Sequence, residues 1–175
     1  MVADAVAGEL GGTLDVVLAR KIGAPLSSEF ALGAVSEGGE VILRPYARAY
    51  ADEDYLRREA ERQRRLIEER RARYRAVRPR VPLAGREVVL TDDGIATGST
   101  MEAALQAVLA EGPARVVVAV PVAAPDAVAR LERLAEVVAL STPPDFTAVG
   151  AHYQEFPQVE DREVEEILAK WGGKG

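Results

Sequence analysis

Residues 88–100 read VVLTDDGIATGST. Four residues suited to a buried strand run directly into two adjacent aspartates, Asp92 and Asp93, and then into small and hydroxyl-bearing residues. Neighbouring carboxylates repel each other, so a fold tolerates them best where a polyhydroxylated or cationic ligand meets them. In open α/β sheets, ligands bind beyond the carboxyl ends of the strands. The stretch therefore predicts a binding site at a strand end.

The turn after the acid pair has the features of an anion cradle. Gly98 lets the backbone approach a ligand closely, and Thr97, Ser99 and Thr100 add hydroxyls to the N–H groups that open a helix. This combination suits a sugar phosphate, with its diol on the carboxylates and its phosphate on the loop. The alternative is an ordinary surface turn in which Thr97 or Ser99 only caps the helix.

Hydrophobic patterns around this stretch predict an α/β fold. Valine-rich runs at 114–122 and 136–140 alternate with helical patterns at 99–111 and 125–135, which indicates a parallel sheet covered on both faces. Further elements are predicted at 2–10 (helix), 14–23 (buried strand), 29–47 (two strands around a glycine turn) and 161–170 (amphipathic helix). We therefore predict a doubly wound, mostly parallel sheet in one domain covering residues 1–175.

A long helix is predicted at 52–77, within an inserted segment at 48–80. Its apolar seam is narrow, because Gln63 and Arg70 interrupt the series Leu56, Ala60, Ile67, Tyr74 and Val77. Such a seam is expected to rest on a surface and not to form part of a core. Two alternatives stay open: a solvated helix with i,i+4 charge pairs along it, or an arm that packs against a second subunit of a homodimer.

Composition excludes several classes of protein. The net charge of −6 argues against bulk attraction to nucleic acid. No apolar run approaches the ~20 residues of a membrane span, and no signal peptide opens the sequence. The absence of cysteine excludes disulfides and thiolate zinc sites. A cytoplasmic location is the expectation.

The quoted stretch closely resembles the phosphoribosyl-pyrophosphate motif of type I phosphoribosyltransferases, with an apolar strand, two acids and a small-residue loop ending T-G-S-T. RKIGAP (20–25), FALGAV (30–35) and DFTAVGAHYQEF (145–156) resemble a bacterial branch of the same family. The resemblance implies a flavodoxin-like strand order. It also implies transfer of ribose-5-phosphate from phosphoribosyl pyrophosphate to a small nitrogenous acceptor, usually a nucleobase, with Mg²⁺ and release of pyrophosphate.

The same resemblance assigns expected roles to residues. Asp92 and Asp93 are expected to hold the ribose hydroxyls and to reach Mg²⁺ indirectly, through those hydroxyls or water. The 5′-phosphate is expected on the loop residues Ala96, Thr97, Gly98, Ser99 and Thr100. We select Arg20 and Lys21, at the end of the first predicted strand, as candidate pyrophosphate contacts; the alternative is a solvated basic pair.

The segment 141–160 corresponds to the variable hood of the family, which binds the acceptor. Phe146, His152 and Tyr153 could contact a base there, or they could simply fill a small subdomain. In the family, a first strand and a pyrophosphate-binding loop precede the first helix, and the resemblance implies that both are missing here. A start codon placed too far downstream, a truncated chain and a degenerate homologue are the explanations left open.

Two further functions stay open at this stage. The same fold could sense phosphoribosyl pyrophosphate or a nucleotide without catalysis and regulate a partner. A sugar-phosphate-binding protein unrelated to pyrophosphate chemistry is the third hypothesis.

Overall fold

The computed structural model describes residues 1–172, which form two compact units. Unit 1 comprises Met1–Val16, Arg73–Gly98 and the described part of Glu111–Gly175. Unit 2 comprises Val17–Ala72 and Ser99–Ala110. The prediction of one domain over the whole chain stays a prediction.

Unit 1 is built on a parallel sheet. Strands β4 (Glu87–Thr91), β5 (Arg115–Val122) and β6 (Glu136–Ser141) lie in the order β4-β5-β6, and helix α5 (Pro125–Leu131) connects β5 to β6. Every second residue of β5 is buried, from Val116 to Val122. The α/β fold class is thus confirmed, and this order matches the end of the flavodoxin-like sheet.

Long-range polar contacts hold the termini of unit 1 in place. In the last helix, α6 (Asp161–Trp171), the indole N–H of Trp171 donates to Asp4 of α1 (Val2–Leu10) at 2.8 Å. Asp15 pairs with Arg75 and accepts the backbone N–H of Val81 at 2.9 Å. Asp15 and Arg75 are largely buried, which strengthens these charge-assisted bonds. The bonds join two segments of unit 1, Met1–Val16 and Arg73–Gly98, to each other.

Unit 2 contains an antiparallel sheet of β1 (Ala19–Ala24), β2 (Ser27–Ser36) and β3 (Val41–Leu43). Parallel pairing is therefore confined, among the described strands, to unit 1. The strand predicted at 14–23 begins only at Ala19, because its ladder partner, β2, ends at Ser36 opposite that residue. Arg20 and Lys21 therefore lie near the beginning of this strand and not at its end, where they were predicted. The helices of unit 2 are α2 (Ala47–Tyr50), α3 (Glu53–Val77, of which 73–77 belong to unit 1) and α4 (Ser99–Leu109).

Helix α3 packs more closely than its sequence indicates. Leu56, Ala60 and Ile67 join the main core cluster of unit 2, beside Ile22 and Leu32. The expectation that this helix forms no part of a core is therefore wrong. Its opposite face is solvated, as the first alternative predicted. The Arg–Asp and Arg–Glu pairs on that face, however, have i,i+3 spacing where i,i+4 spacing was predicted.

Three aromatic rings form an exposed cluster on unit 2. The ring centroid of Phe30 lies 5.4 Å from that of Tyr46 and 5.0 Å from that of Tyr50. The Tyr46 hydroxyl donates to the carbonyl of Ala31 at 3.0 Å, which anchors the cluster to β2.

In the part of the chain that the structure describes, no helix is long and apolar enough to cross a membrane.

Candidate active site

The acid pair lies at the carboxyl end of the parallel sheet. Strand β4 ends at Thr91, so Asp92 and Asp93 follow it directly. The loop beyond them is attached to the neighbouring strand: the N–H of Ile95 donates to the carbonyl of Val122 at 3.0 Å. The carbonyl of Ile95 in turn accepts from the N–H of Ala124 at 2.9 Å. These bonds give the loop a defined position at the sheet edge where α/β proteins bind ligands.

The two carboxylates sit in unequal environments. Asp92 is exposed, yet nearby protein atoms displace part of the water around its carboxylate, and this desolvation raises its pKa. The charge of Asp93 raises the pKa further, while the N–H of Asp93, which donates to Asp92 Oδ1 at 2.8 Å, acts in the opposite direction. The folded protein therefore holds an ionised Asp92 at a cost, which a diol or a cation would relieve.

Glycine at two positions allows the loop to pack closely against neighbouring side chains. A Cβ on Gly94 would lie 2.8 Å from Val149 Cγ1 and 2.9 Å from Val122 Cγ1. Gly98 has φ +80°, and a Cβ there would lie 2.9 Å from Arg130 Nη2. The guanidinium of Arg130 donates to the carbonyl of Thr97. Because the C=O and N–H of a trans peptide point in opposite directions, this bond turns the N–H of Gly98 away from α5.

The hood segment contacts the acid pair through one aromatic residue. The hydroxyl of Tyr153 donates to the backbone carbonyl of Asp93 at 2.5 Å. Desolvation, and then the charges of Asp93 and Asp92, raise the pKa of Tyr153 above that of an ordinary tyrosine, which is itself a hydrogen-bond donor at neutral pH. The ring of Tyr153 lies 5.1 Å from that of Phe156, whereas exposed His152 stacks on Phe146 at 5.3 Å. Tyr153 thus links the hood to the candidate ribose site.

Substitution of Tyr153 by Phe tests this link. The change removes one hydrogen bond, worth about 1 kcal/mol, and leaves the ring. We expect a rise of roughly fivefold in the KM for the sugar-phosphate donor and little change in Tm, measured by steady-state kinetics and calorimetry. Tyr50→Phe, in the exposed aromatic cluster, is the control. An unchanged KM in Tyr153→Phe would mean that the bond has no influence on donor binding.

Unit 2 contributes a second group of predicted site residues. Arg20 and Lys21 of β1 and Thr100 of α4 line one cavity of about 710 Å³. The Lys21 ammonium pairs with Glu29 at 2.8 Å, and the Nε–H of Arg20 donates to Gln63 at 2.6 Å. The structure therefore brings the predicted pyrophosphate contacts together with the last residue of the predicted phosphate loop.

The loop residues differ in exposure. Ala96 and Thr97 are exposed, Thr100 is half-buried, and Gly98 and Ser99 are buried. The Ser99 side chain opens α4 and is fully buried, so it serves the packing of the helix start. Asp92, Asp93 and the loop as far as Gly98 belong to unit 1, whereas Ser99 and Thr100 belong to unit 2.

Sequence reasoning missed the residues that position these groups. Arg130 carries no local signal, because one arginine on a short amphipathic helix is typical of a solvated surface. Gln63 did give a signal, as the polar residue that interrupts an apolar seam, but its partner Arg20 lies 43 positions away and no spacing rule connects the two.

A family model described as phosphoribosyl transferase domain matches residues 1–155. Two proteins of Mycobacterium tuberculosis, from strains CDC 1551 and H37Rv, are each 45% identical to this chain over 170 residues. Both carry the name phosphoribosyl transferase as a provisional assignment. The match covers 95% of this chain and 38% of each relative, so the chain spans well under half of their length.

The chain is also similar to a solved structure. The crystal structure of TT1426 from Thermus thermophilus is 63% identical in sequence and superimposes with a TM-score of 0.80. The similarity covers 98% of this chain and 83% of that one.

Proposed function

Because the chain belongs to the phosphoribosyl transferase domain family, we propose that it transfers ribose-5-phosphate from phosphoribosyl pyrophosphate to a ring nitrogen of a nucleobase. Pyrophosphate is the product that leaves. The observation that carries this proposal is the acid pair at the end of β4, held beside a glycine loop that Arg130 and Tyr153 fix from two sides.

The donor is proposed to bind through its sugar and its 5′-phosphate. Asp92 and Asp93 accept hydrogen bonds from the ribose 2′- and 3′-hydroxyls, because ionised carboxylates are acceptors only and form strong bonds with hydroxyl donors. The loop from Ala96 to Thr100 receives the phosphate with backbone N–H groups at the start of α4. Thr97, which is exposed, and Thr100 offer hydroxyls for the same purpose.

The charges of the site match the demands of the reaction. Breaking the bond between the anomeric carbon and the pyrophosphate oxygen leaves positive charge on the sugar and negative charge on the leaving group. Carboxylates beside the ribose stabilise the first, and cationic side chains stabilise the second. Arg20 and Lys21 are the candidates for the leaving group, and they line a common cavity with Thr100.

Mg²⁺ is proposed as the metal of the reaction. Among residues 1–172, no group of three or more His, Cys, Asp or Glu side chains could hold a metal ion alone. The acid pair is proposed to reach Mg²⁺ indirectly, through the ribose hydroxyls or water, since Mg²⁺ keeps several waters and takes its other ligands largely from substrate phosphates. When bound, the metal would neutralise charge on the pyrophosphate oxygens.

Pyrophosphate release tests the proposal. The chain is incubated with phosphoribosyl pyrophosphate, Mg²⁺ and, one at a time, a panel of purine and pyrimidine bases, and pyrophosphate is measured with a coupled assay. We expect release with at least one base and none without a base or after chelation of Mg²⁺. Binding of the donor without turnover on any base would contradict the enzyme and leave a sensor as the function.

The pH dependence of donor binding follows from the raised pKa of Asp92. Protonation removes the charge of the carboxylate and turns one of its acceptor oxygens into a donor, so it weakens the bonds from the ribose hydroxyls. We expect the acid limb of kcat/KM to lie above the pH at which an ordinary aspartate titrates, about 4. A pH profile that begins below this value and extends to neutrality measures it, and a limb at or below the ordinary value would contradict the assignment of Asp92.

A further inference from the structure

Gln63 is a polar residue in an otherwise apolar position. It lies on the buried seam of α3 between Ala60 and Ile67, and only 6% of it is exposed. An apolar side chain there would continue the seam and join the core cluster, whereas a buried carboxamide costs free energy unless it is hydrogen-bonded. Departures from a local pattern of this kind are expected at functional positions.

Both ends of the Gln63 carboxamide have partners. Its Oε1 accepts the Nε–H of Arg20 at 2.6 Å, and its Nε2 donates to Glu59 Oε1 at 2.9 Å. Glu59 also pairs with Arg62 at 3.2 Å. Because Gln63 is anchored on the core side of a helix, its bond to Nε fixes the plane of the Arg20 guanidinium.

The same residues line the 710 Å³ cavity of unit 2, together with Lys21 and Thr100. The cavity walls carry three cations, Arg20, Lys21 and Arg62. The two carboxylates of the walls, Glu29 and Glu59, are each paired with one of these cations. The volume is in the range of about 300–1,000 Å³ typical of ligand sites.

We propose that Gln63 is a positioning residue, which holds the guanidinium of Arg20 in the orientation that binds the diphosphate group of the donor in this cavity. The identity of the ligand rests on the proposed function. A guanidinium whose plane is already fixed loses less side-chain freedom on binding, so the carboxamide acts through Arg20 by preorganisation. Binding of the diphosphate group thus explains why the apolar seam of α3 contains the polar residue Gln63.

Substitution of Gln63 by Met removes both hydrogen bonds and keeps the length of the side chain. We expect the Kd for inorganic pyrophosphate with Mg²⁺, measured by calorimetry, to rise about tenfold, because the variant loses one preorganised contact with the ligand. The kcat/KM for phosphoribosyl pyrophosphate should fall by a similar factor. The Tm should stay equal or increase, because methionine suits an apolar seam. Gln106→Met, on α4 of the same unit, is the matched control and should leave both constants unchanged.

A second variant and a double substitution separate positioning from packing. Gln63→Asn keeps the amide but is one methylene too short to reach Arg20, so it should weaken pyrophosphate binding as Gln63→Met does. In an Arg20→Met background, Gln63→Met should have no further effect on Kd. Independent, additive effects would contradict action through Arg20. A lower Tm with an unchanged Kd would overturn the proposal in favour of a purely structural role.

The binding measurement also distinguishes this proposal from the proposed function. If no base supports turnover, the transferase is contradicted, yet the Gln63 variants can still be compared by their affinity for inorganic pyrophosphate. If the unsubstituted chain turns over a base but Gln63→Met binds pyrophosphate equally well, the transferase stands and the role of Gln63 is overturned. Absence of any pyrophosphate binding by the unsubstituted chain would likewise overturn it.

Discussion

Replacement of Asp92 or Asp93 by Asn should lower kcat/KM on the order of 10²-fold, because each variant removes a charge that would stabilise the transition state. The Asn side chain has nearly the same shape, and at position 92 its oxygen can still accept the N–H of Asp93. The loss should therefore appear in activity and donor affinity and not in folding. Steady-state kinetics and calorimetry on purified variants measure both.

The stability of Asp92→Asn has a defined sign. Because the pKa of Asp92 is raised in the folded protein, folding favours its protonated form. This contribution is fully present below the pKa in the unfolded chain, about 4, and is lost as the pH rises through the raised value. At neutral pH the ionised carboxylate costs stability and asparagine does not. The variant should keep or exceed the original Tm at neutral pH, and the difference should shrink on acidification.

Asp126→Asn is the matched control for the acid pair. Asp126 is exposed on α5, in the same unit, and its substitution should leave kcat/KM unchanged. Full activity in both variants of the acid pair would refute the proposed ribose contacts. A fall in Tm of many degrees in either variant would instead identify the carboxylates as structural.

Substitution of Gly98 by Ala should also lower kcat/KM on the order of 10²-fold, since a displacement of about 1 Å in a positioning loop can have that effect. The backbone φ of +80° costs an alanine about 1–2 kcal/mol. Its Cβ would lie 2.9 Å from Arg130 Nη2 and 3.3 Å from the Cβ of Ala127. The added methyl therefore displaces either the loop or the guanidinium that holds it.

Gly85→Ala separates backbone strain from loop displacement. Gly85 has φ +71°, lies in an exposed turn of the same unit, and would place its Cβ more than 4 Å from other atoms. Both variants should lose similar stability in denaturant titrations, but only Gly98→Ala should lose activity. Equal activity in the two variants would show that the packing around Gly98 does not matter for function.

Local patterns predict those parts of the fold that local chemistry determines. The end of β4 at Thr91 agrees with the prediction that an apolar strand runs from residue 88 into the acid pair, because β-branched residues end abruptly at two charges there. The parallel pairing of β4, β5 and β6 follows from valine runs that alternate with helices, whereas their order was implied by the family resemblance. The site assignments of Asp92, Asp93 and the loop to Thr100 come from the resemblance and remain predictions.

The other features depend on partners that are distant in sequence. The strand predicted at 14–23 is shifted because its start is decided by the end of β2, not by the apolar run itself. Neither the bond between Tyr153 and Asp93 nor that between Gln63 and Arg20 could be predicted, since 60 and 43 positions separate the partners. Sequence reasoning thus identified candidate ligand contacts but not the side chains that hold them.

The aromatic residues of this chain offer natural optical probes of its two units. Trp171 is the one tryptophan, and its indole is fixed against Asp4 within unit 1. Its fluorescence, excited selectively at the red edge of indole absorption, should follow the release of the last helix from the first. Near-ultraviolet circular dichroism sums over all aromatic residues and so adds the signal of the coupled rings of Phe30, Tyr46 and Tyr50 in unit 2. Coincident melting curves from the two signals would identify one cooperative transition, and separate curves would identify two.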